Sequence, residues 1–410
     1  MTKIISNKSN VDLDYPVVRP SLDLDFTQEE LDPRITFSRG SIGTRVNRNR
    51  LIETVAANQP RFDYDPVTGE CKGLLIEESR INSLLYSQDF SNASWIISGL
   101  SFSYNNVIGL DGTTTASTFT AISTNTLNAI YQNFTCTAST TYTFSFYVKL
   151  GTLPVSSYKI AVYNNTALSF IAADVVPTQT LSSNSWTRVS YTFTTPVGCV
   201  SARVYPYRND NRTQNNGTFY LWGAQLETGS FPTSYIPTSA STVTRSAELA
   251  EMTGTNFSSW YNQTEGTFVF DGTLPFITND TVGRVPYGVS NGFNFSNSMY
   301  VAKTSTSLAL SFSIINNNVA QTTGTSLPNM TSSRFKVASA VADKNIYSCG
   351  YGGTVNKHSR PSAAIPTVNR LTLGREPWNG SALNPIIGHI TRFTYYPRAL
   401  KPNQLQYLTQ

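Results

Sequence analysis

The sequence predicts an all-β protein, with an extended N-terminal docking region followed by two antiparallel β-sandwiches. Two observations carry this. The first is charge segregation. The first 85 of the 410 residues hold 13 of the 25 acids and 11 of the 30 lysines and arginines, a net of −2. The other 325 hold 12 acids and 19 bases, a net of +7, and all five tryptophans. That long charge-poor stretch is rich in Ser, Thr, Asn, Tyr and Phe, the side chains that suit a pleated, half-buried surface. The second is period-two alternation. Thr141–Lys149 places Tyr142, Phe144, Phe146 and Val148 on one face, and no window of useful length has helical periodicity.

Residues 1–85 have little periodic pattern. Thr27 and Glu30 fit a capping box, and Pro33 limits any helix there to about one turn. Asn47 to Arg50 reads as a hairpin turn, and Asp65-Pro66-Val67-Thr68-Gly69 as a turn between an aromatic and an apolar strand. So few large apolar residues make little core alone, so this region must gain stability from neighbours or from other copies of the chain. Residues 86–245 read as one all-β domain, with further alternation at Trp186–Phe193 and Phe219–Leu226. Residues 246–410 read as a second, with strands at Gly266–Phe270, Ser307–Ile315, Arg334–Val341 and Ile390–Tyr396. Pro402 takes the first position of a closing helix. Pro232, Pro237 and the Ser/Thr run Thr238–Thr244 form the expected linker.

The totals exclude several classes. The hydrophobic content of 40% is enough for real cores. Cys71, Cys136, Cys199 and Cys349 lie far apart with no CxxC pair, so metal-site spacing is absent and reduced, buried thiols are expected. Cys136 and Cys199 fall within one predicted sandwich, and sequence leaves open whether they face each other. The first residues contain no apolar signal segment or membrane span. There are two histidines, His358 and His389, and no GxSxG, HExxH or phosphate loop. Adjacent Glu77 and Glu78 would point to opposite faces of a strand. No enzyme activity, cofactor or metal is expected.

Several strings together resemble a family of bacteriophage virion proteins. SLDLDF, ITFSRGS, FDYDPVTGECKGLLIEESR and SLLYSQDFSNASW resemble the N-terminal region of phage fibre and spike proteins. FYLWGAQLETGSFPTSYIPT resembles the end of their carbohydrate-binding-module-like jelly roll. RLTLGR and IIGHITRFTYYPRALKPNQLQYL resemble the closing strands and helix of a concanavalin A-like (laminin G-like) sandwich. The resemblance implies a virion-docking region at 1–85, a jelly roll at 86–245 and a concanavalin A-like domain at 246–410. It implies a tail fibre or spike on the virion surface that attaches to host polysaccharide or lipopolysaccharide. Such proteins commonly work as oligomers, here expected as a homotrimer. It implies no catalytic residues; laminin G-like sandwiches can bind calcium, but no Asp-rich loop is present. Neither a shaft nor a 20–50-residue repeat is visible.

Sugar binding needs flat aromatic faces and planar polar groups. Tyr205, Tyr207, Arg208 and Arg212, beside Asp210, form such a cluster entering the loop after Asn209, and Trp378 sits in a turn-rich loop. Trp95 and Trp222 read as core, whereas Trp186 and Trp260 stay open between core and ligand. The basic cluster Arg34, Arg39, Arg45, Arg48 and Arg50 is flanked by acids and nearly lacks aromatics. It therefore reads as docking onto acidic neighbours or as internal pairing, not as nucleic-acid binding.

Overall fold

The computed structural model describes residues 16–211, 216–274, 283–292, 295–303, 309–329, 333–342, 345–350, 355–359, 365–376 and 386–410. The chain forms two compact units. The central unit comprises Gly40–Ala56 and Ser79–Ser246. The terminal unit comprises the chain up to Arg39, Ala57–Glu78 and Ala247–Gln410. Among the described residues all strand pairing is antiparallel, as the alternation predicts. No described helix is long and apolar enough to cross a membrane.

Among its described residues, the central unit has two five-stranded sheets. In the first, Thr187–Thr194, Thr141–Leu150, Gly217–Thr228, Ala116–Ala121 and Leu100–Val107 lie side by side. In the second the order is Ser169–Val175, Ile160–Asn164, Ser201–Asn209, Asn128–Thr135 and Ile96–Ser98. Setting aside Ile96–Ser98 and Leu100–Val107, the remaining strands follow the chain order and sheet order of a jelly roll. The inward faces supply one core, with Phe119, Phe144, Phe146, Val148 and Phe219 from one sheet and Ile130, Val162, Val204 and Tyr207 from the other. Trp95 belongs to this core.

The GAQLE–SYIPT string has a structural explanation. After Gly223, which takes φ 62° at a bulge opposite Phe146, buried Gln225 and Glu227 reach the strap that follows. Gln225 Oε1 accepts from the Ile236 amide (2.6 Å), and Glu227 accepts from the Thr233 amide (2.9 Å). The strap lays Tyr235 against Trp222 on the outer face of the first sheet, so Trp222 is buried there rather than between the sheets. Half of the expected linker is therefore packed. Only Ser239–Thr242 runs exposed before the strand Val243–Arg245 pairs with Arg80–Asn82.

The terminal unit has two larger sheets. In one, Gly388–Tyr396 pairs along one edge with Gly266–Thr273. Along its other edge it pairs first with Cys71–Ile76 and then with Leu22–Asp25. In the other, Thr36–Ser38 pairs with Leu249–Thr253 at the start of a run that continues through Arg370–Leu373 and Arg284–Ser290. The early chain is thus part of this sandwich. Leu22, Leu24, Phe26, Phe62, Leu74 and Ile76 share a core with Phe268, Phe393 and Tyr395. Among the described residues before 86, Leu22–Asp25, Thr36–Ser38 and Cys71–Ile76 take strands from the later chain as neighbours, while Gly40–Ala56 and the residues from Ser79 on belong to the central unit. The expected boundary at 85/86 differs from the two units, because strand pairing recruits 22–25 and 62–76 to the terminal unit, while the hairpin 43–55, paired only with itself, attaches to the central one through the Ile52 amide on Leu110 and the Thr44 hydroxyl on the Tyr235 carbonyl.

A buried ionic network ties these segments together. Glu248 Oε1 accepts from Arg39 Nη1 (3.2 Å) and Arg61 Nε (2.8 Å), and its Oε2 accepts from the Glu77 amide (2.9 Å). Arg61 Nη2 also donates to Glu77 (2.8 Å). Burial would push the Arg61 guanidinium down, but the charges of Glu248 and Glu77 outweigh it and hold it up. At the sheet edge, Arg392 Nε donates to Asp23 (2.8 Å). Burial would raise the Asp23 carboxyl; hydrogen bonds from Arg392 and Thr394, with the Arg392 charge, hold it below the usual range.

Local signals fare unevenly. The Asn47–Arg50 turn joins Gly43–Val46 to Ile52–Val55, and Asp65 Oδ1 accepts from the Val67 and Thr68 amides in the second expected turn. The capping box at Thr27–Glu30 does not form. Asp25 instead caps a short 3-10 turn, Phe26–Gln28, by accepting from the Thr27 amide. Pro402 does open the closing helix, Pro402–Leu408.

Two outcomes follow for stability. Glu248→Ala deprives two buried guanidiniums of their shared carboxylate and lowers the stability of the terminal unit by about 3–5 kcal/mol, read from its urea midpoint. Asp23 titrates lower in the folded state than its ordinary value, so its contribution is present above about pH 4 and lost as pH falls through the folded value. The difference in urea midpoint between the native chain and Asp23→Asn therefore closes on acidification below about pH 4.

Candidate functional site

The second sheet of the central unit turns one face to the core and the other to solvent. Residue placement on Ser201–Asn209 decides what that outer face carries. Ala202 and Val204 point inward, and Arg203 and Tyr205 outward. Strict alternation would put Tyr207 outward too. Instead Tyr205 and Pro206 together oppose Tyr131, because the register shifts between Ile130↔Tyr207 and Gln132↔Val204. Pro206 has no amide hydrogen to give to a ladder, which suits it to a bulge. The extra residue inverts the phase, so Tyr207 enters the core and Arg208 returns to the outside.

Tyr207 is therefore a correction to the sequence reading. It is completely buried, with its ring 4.5 Å from Phe219 and 5.4 Å from Tyr158, and burial pushes its phenol well up. Such a side chain cannot meet a ligand. Arg208 does lie on the outer face. Tyr205 also points outward but is only 6% exposed, packed against Tyr131 and Tyr163, so it too corrects the expectation of a ligand-contacting tyrosine. Arg212 and Trp378 fall outside the described residues. Tyr131, Tyr163, Phe170 and Arg203 join Tyr205 and Arg208 there. Period-two reading of Asn128–Thr135 and Ile160–Asn164 would have found the first two tyrosines; which face of the strand meets solvent was the missing information.

These residues form a row. The Arg203 guanidinium lies between two rings, 4.9 Å from the centroid of Tyr131 and 4.8 Å from that of Tyr163. Its Nε donates to Asn165 Oδ1 (2.5 Å), and it also hydrogen-bonds the Tyr205 hydroxyl. Burial raises the Tyr205 phenol, partly offset by the Arg203 charge and hydrogen bond. Tyr131 and Tyr205 are 5.0 Å apart; Tyr163 meets Phe170 edge-on at 4.9 Å. Arg208 lies 4.6 Å over Phe170, whose side is 40% exposed. Arg208 also pairs with Asp210 (2.8 Å) and Asp174 (3.7 Å), which Lys159 approaches at 3.8 Å. Among the described residues no carboxylate pairs with Arg203. The face thus offers ring surface, an oriented guanidinium and the amides of Asn165 and Asn133, which hydrogen-bond each other (3.1 Å).

The other candidates sort differently. Arg39 is buried on Glu248, Arg34 pairs with Asp32 (2.7 Å), and Arg45 pairs with Glu53 (2.7 Å) across its hairpin; Arg48 and Arg50 are exposed at the hairpin tip. Trp260 is core, and Trp186 is partly buried near Trp222. Glu77 and Glu78 diverge as expected, to Arg61 and to Arg284 (3.0 Å). His389 lies between Asp63, at 2.8 Å from Nε2, and Thr273, at 3.0 Å from Nδ1. These three side chains link the strands Phe62–Tyr64, Gly388–Tyr396 and Gly266–Thr273. Among the described residues no group of three or more His, Cys, Asp or Glu could hold a metal ion.

No family model matches the chain, and no curated protein matches it. Several solved structures are weakly similar to part of the chain. The CBM40 of a Ruminococcus gnavus IT-sialidase, bound to α2,6-sialyllactose, is 16% identical with TM-score 0.33, covering 38% of this chain and 88% of that one. The leech intramolecular trans-sialidase, 16% identical with TM-score 0.32, and the NanB sialidase of Streptococcus pneumoniae, 12% identical with TM-score 0.32, each match 38% of this chain. The chain spans about a quarter of the length of those two enzymes. Likeness at this level assigns no function.

The bulge makes an unequal pair of substitutions. Tyr207→Ala empties a core site and costs about 3–5 kcal/mol in urea unfolding. Phe170→Ala, on the outer face, costs about 1 kcal/mol or less.

Proposed function

We propose that the chain is a bacteriophage virion surface protein, of tail-fibre or spike type, that adheres to host surface glycans through the outer face of its second jelly-roll sheet. The observation that carries the binding reading is Arg203 held between Tyr131 and Tyr163 on a solvent-facing sheet. Stacking fixes the guanidinium before any ligand arrives, which lowers the ordering cost of binding. A sugar ring can lie against Phe170 and the tyrosine edges while its hydroxyls or carboxylate meet Arg203 and Asn165. The virion assignment rests on the sequence strings quoted above.

Each such contact is weak, and repetition across a homotrimer would multiply it. The reading is of a binder rather than an enzyme. Glu77, Glu78 and His389, the side chains that could suggest acid–base chemistry, are engaged in structural contacts. Decoration of the virion without a receptor is the rival role.

Binding of the full chain to bacterial surface polysaccharides and to host cells tests this. Arg203→Ala should lower apparent affinity at least about tenfold, equivalent to about 1.4 kcal/mol, while keeping a cooperative unfolding transition. Equal binding by a folded Arg203→Ala chain moves the site elsewhere. No glycan binding by the native chain favours decoration, and a shortening of the bound polysaccharide would make it an enzyme.

A further inference from the structure

We propose that Cys136 and Cys199 are a disulfide site, a buried dithiol that closes by exchange with a small disulfide such as oxidised glutathione. The two sulfurs lie 3.5 Å apart as free thiols. A bond of about 2.0 Å needs them to approach by roughly 1.5 Å, within the reach of small side-chain rotations. The backbone already holds the pair in place. Cys136 follows the strand Asn128–Thr135 and Cys199 precedes Ser201–Asn209, its neighbour in the sheet. The Cys136 amide donates to the Val200 carbonyl (3.0 Å), which continues the pairing Thr135↔Ser201. Both side chains belong to the jelly-roll core.

Closing the bond joins residues 63 positions apart. The enclosed chain contains Thr141–Leu150, Ile160–Asn164, Ser169–Val175 and Thr187–Thr194, half of the jelly-roll strands. A loop of this length removes much freedom from the unfolded chain, so closure stabilises the folded unit. Burial, with the hydrogen bond and charge of Cys199, pushes the Cys136 thiol up to about 12. Cys136 therefore holds little thiolate, the attacking species, in the folded unit, and because both sulfurs are buried, exchange belongs to folding or to transient opening.

The chemistry balances. The thiolate of one cysteine attacks a sulfur of glutathione disulfide, a mixed disulfide forms and one glutathione thiolate leaves. The second cysteine, deprotonated, attacks the protein sulfur of that mixed disulfide. The Cys136–Cys199 bond forms and the second glutathione leaves. The protein loses two electrons and two protons, and one glutathione disulfide becomes two thiols.

The test is to refold the full chain in a glutathione redox buffer, alkylate the remaining thiols and map the peptides by mass spectrometry. The expected result is an intact mass about 2 Da lower before alkylation, a Cys136–Cys199 linked peptide, and alkylated Cys71 and Cys349. The melting temperature of the central unit should rise by roughly 5–10 °C and return on reduction with dithiothreitol. Cys199→Ala should melt at the same temperature with and without the oxidant; should it fail to fold, Cys136→Ala serves. Alkylation of both Cys136 and Cys199 after oxidative refolding, or a link from either to Cys71 or Cys349, overturns the proposal.

Discussion

The terminal unit depends on one carboxylate. Glu248 lies at the point where the chain begins its long C-terminal stretch, and it collects Arg39, Arg61 and the Glu77 amide. Four separate chain positions thus converge where water is excluded. Burying two guanidiniums and two carboxylates is costly unless every charge is met. Here each has a partner, so the network acts less as a source of net stability than as a key. Arg39 and Arg61 have no comparably low-energy place to go if the early strands fail to join the late ones. Burial of Leu22, Leu24, Phe26, Leu74 and Ile76 supplies the favourable term, and the ions restrict which arrangement can collect it.

The central unit is governed instead by strand phase. Alternation brings Tyr142, Phe144, Phe146 and Val148 to one face, and the structure buries all four. Two bulges then reset the phase. One, at Gly223, lets the first sheet accept the strap that carries Tyr235. The other, at Tyr205-Pro206, sends Tyr207 inward and Arg208 outward. Without the second bulge, Tyr205 and Tyr207 would share the outer face and Arg208 would lie in the core. The bulge at Pro206 therefore adds Arg208 to the proposed binding face and removes Tyr207 from it, while Arg203 between Tyr131 and Tyr163 stands outside the shift.

This explains how much was legible in the sequence. Fold class was, because period-two alternation and turn chemistry are local signals. Asn47–Arg50, Asp65–Gly69 and Pro402 act within a few residues and behave as read. Pairing across the chain was not. Nothing near Leu22–Asp25 says that its partner is Arg392–Tyr395, since register is set by a shared core and not by neighbours in sequence. The proposed site was legible only in part: Tyr205, Tyr207 and Arg208 were visible as an aromatic-basic cluster, of which both tyrosines are buried. Tyr131 and Tyr163 were each one outward residue on a strand whose outward face was unknown. Pro206 was the available sign of the bulge.

The charge map of the linear sequence also reads differently once folded. Its dense leader looked like a surface waiting for a partner, yet much of that charge is met inside the chain. Asp32 holds Arg34, Glu53 holds Arg45, and Glu77 and Glu248 hold Arg61. Two leader acids, Asp23 and Glu78, reach Arg392 and Arg284 in the distal stretch. The −2 and +7 of the two sequence segments are therefore not the charges of two separate bodies, because some of the opposite signs are paired across that division. A field strong enough to steer a partner needs charges that face solvent together. Arg203 is better placed for selective contact than the leader as a whole, because its direction is fixed by the rings on either side and no described carboxylate pairs with it.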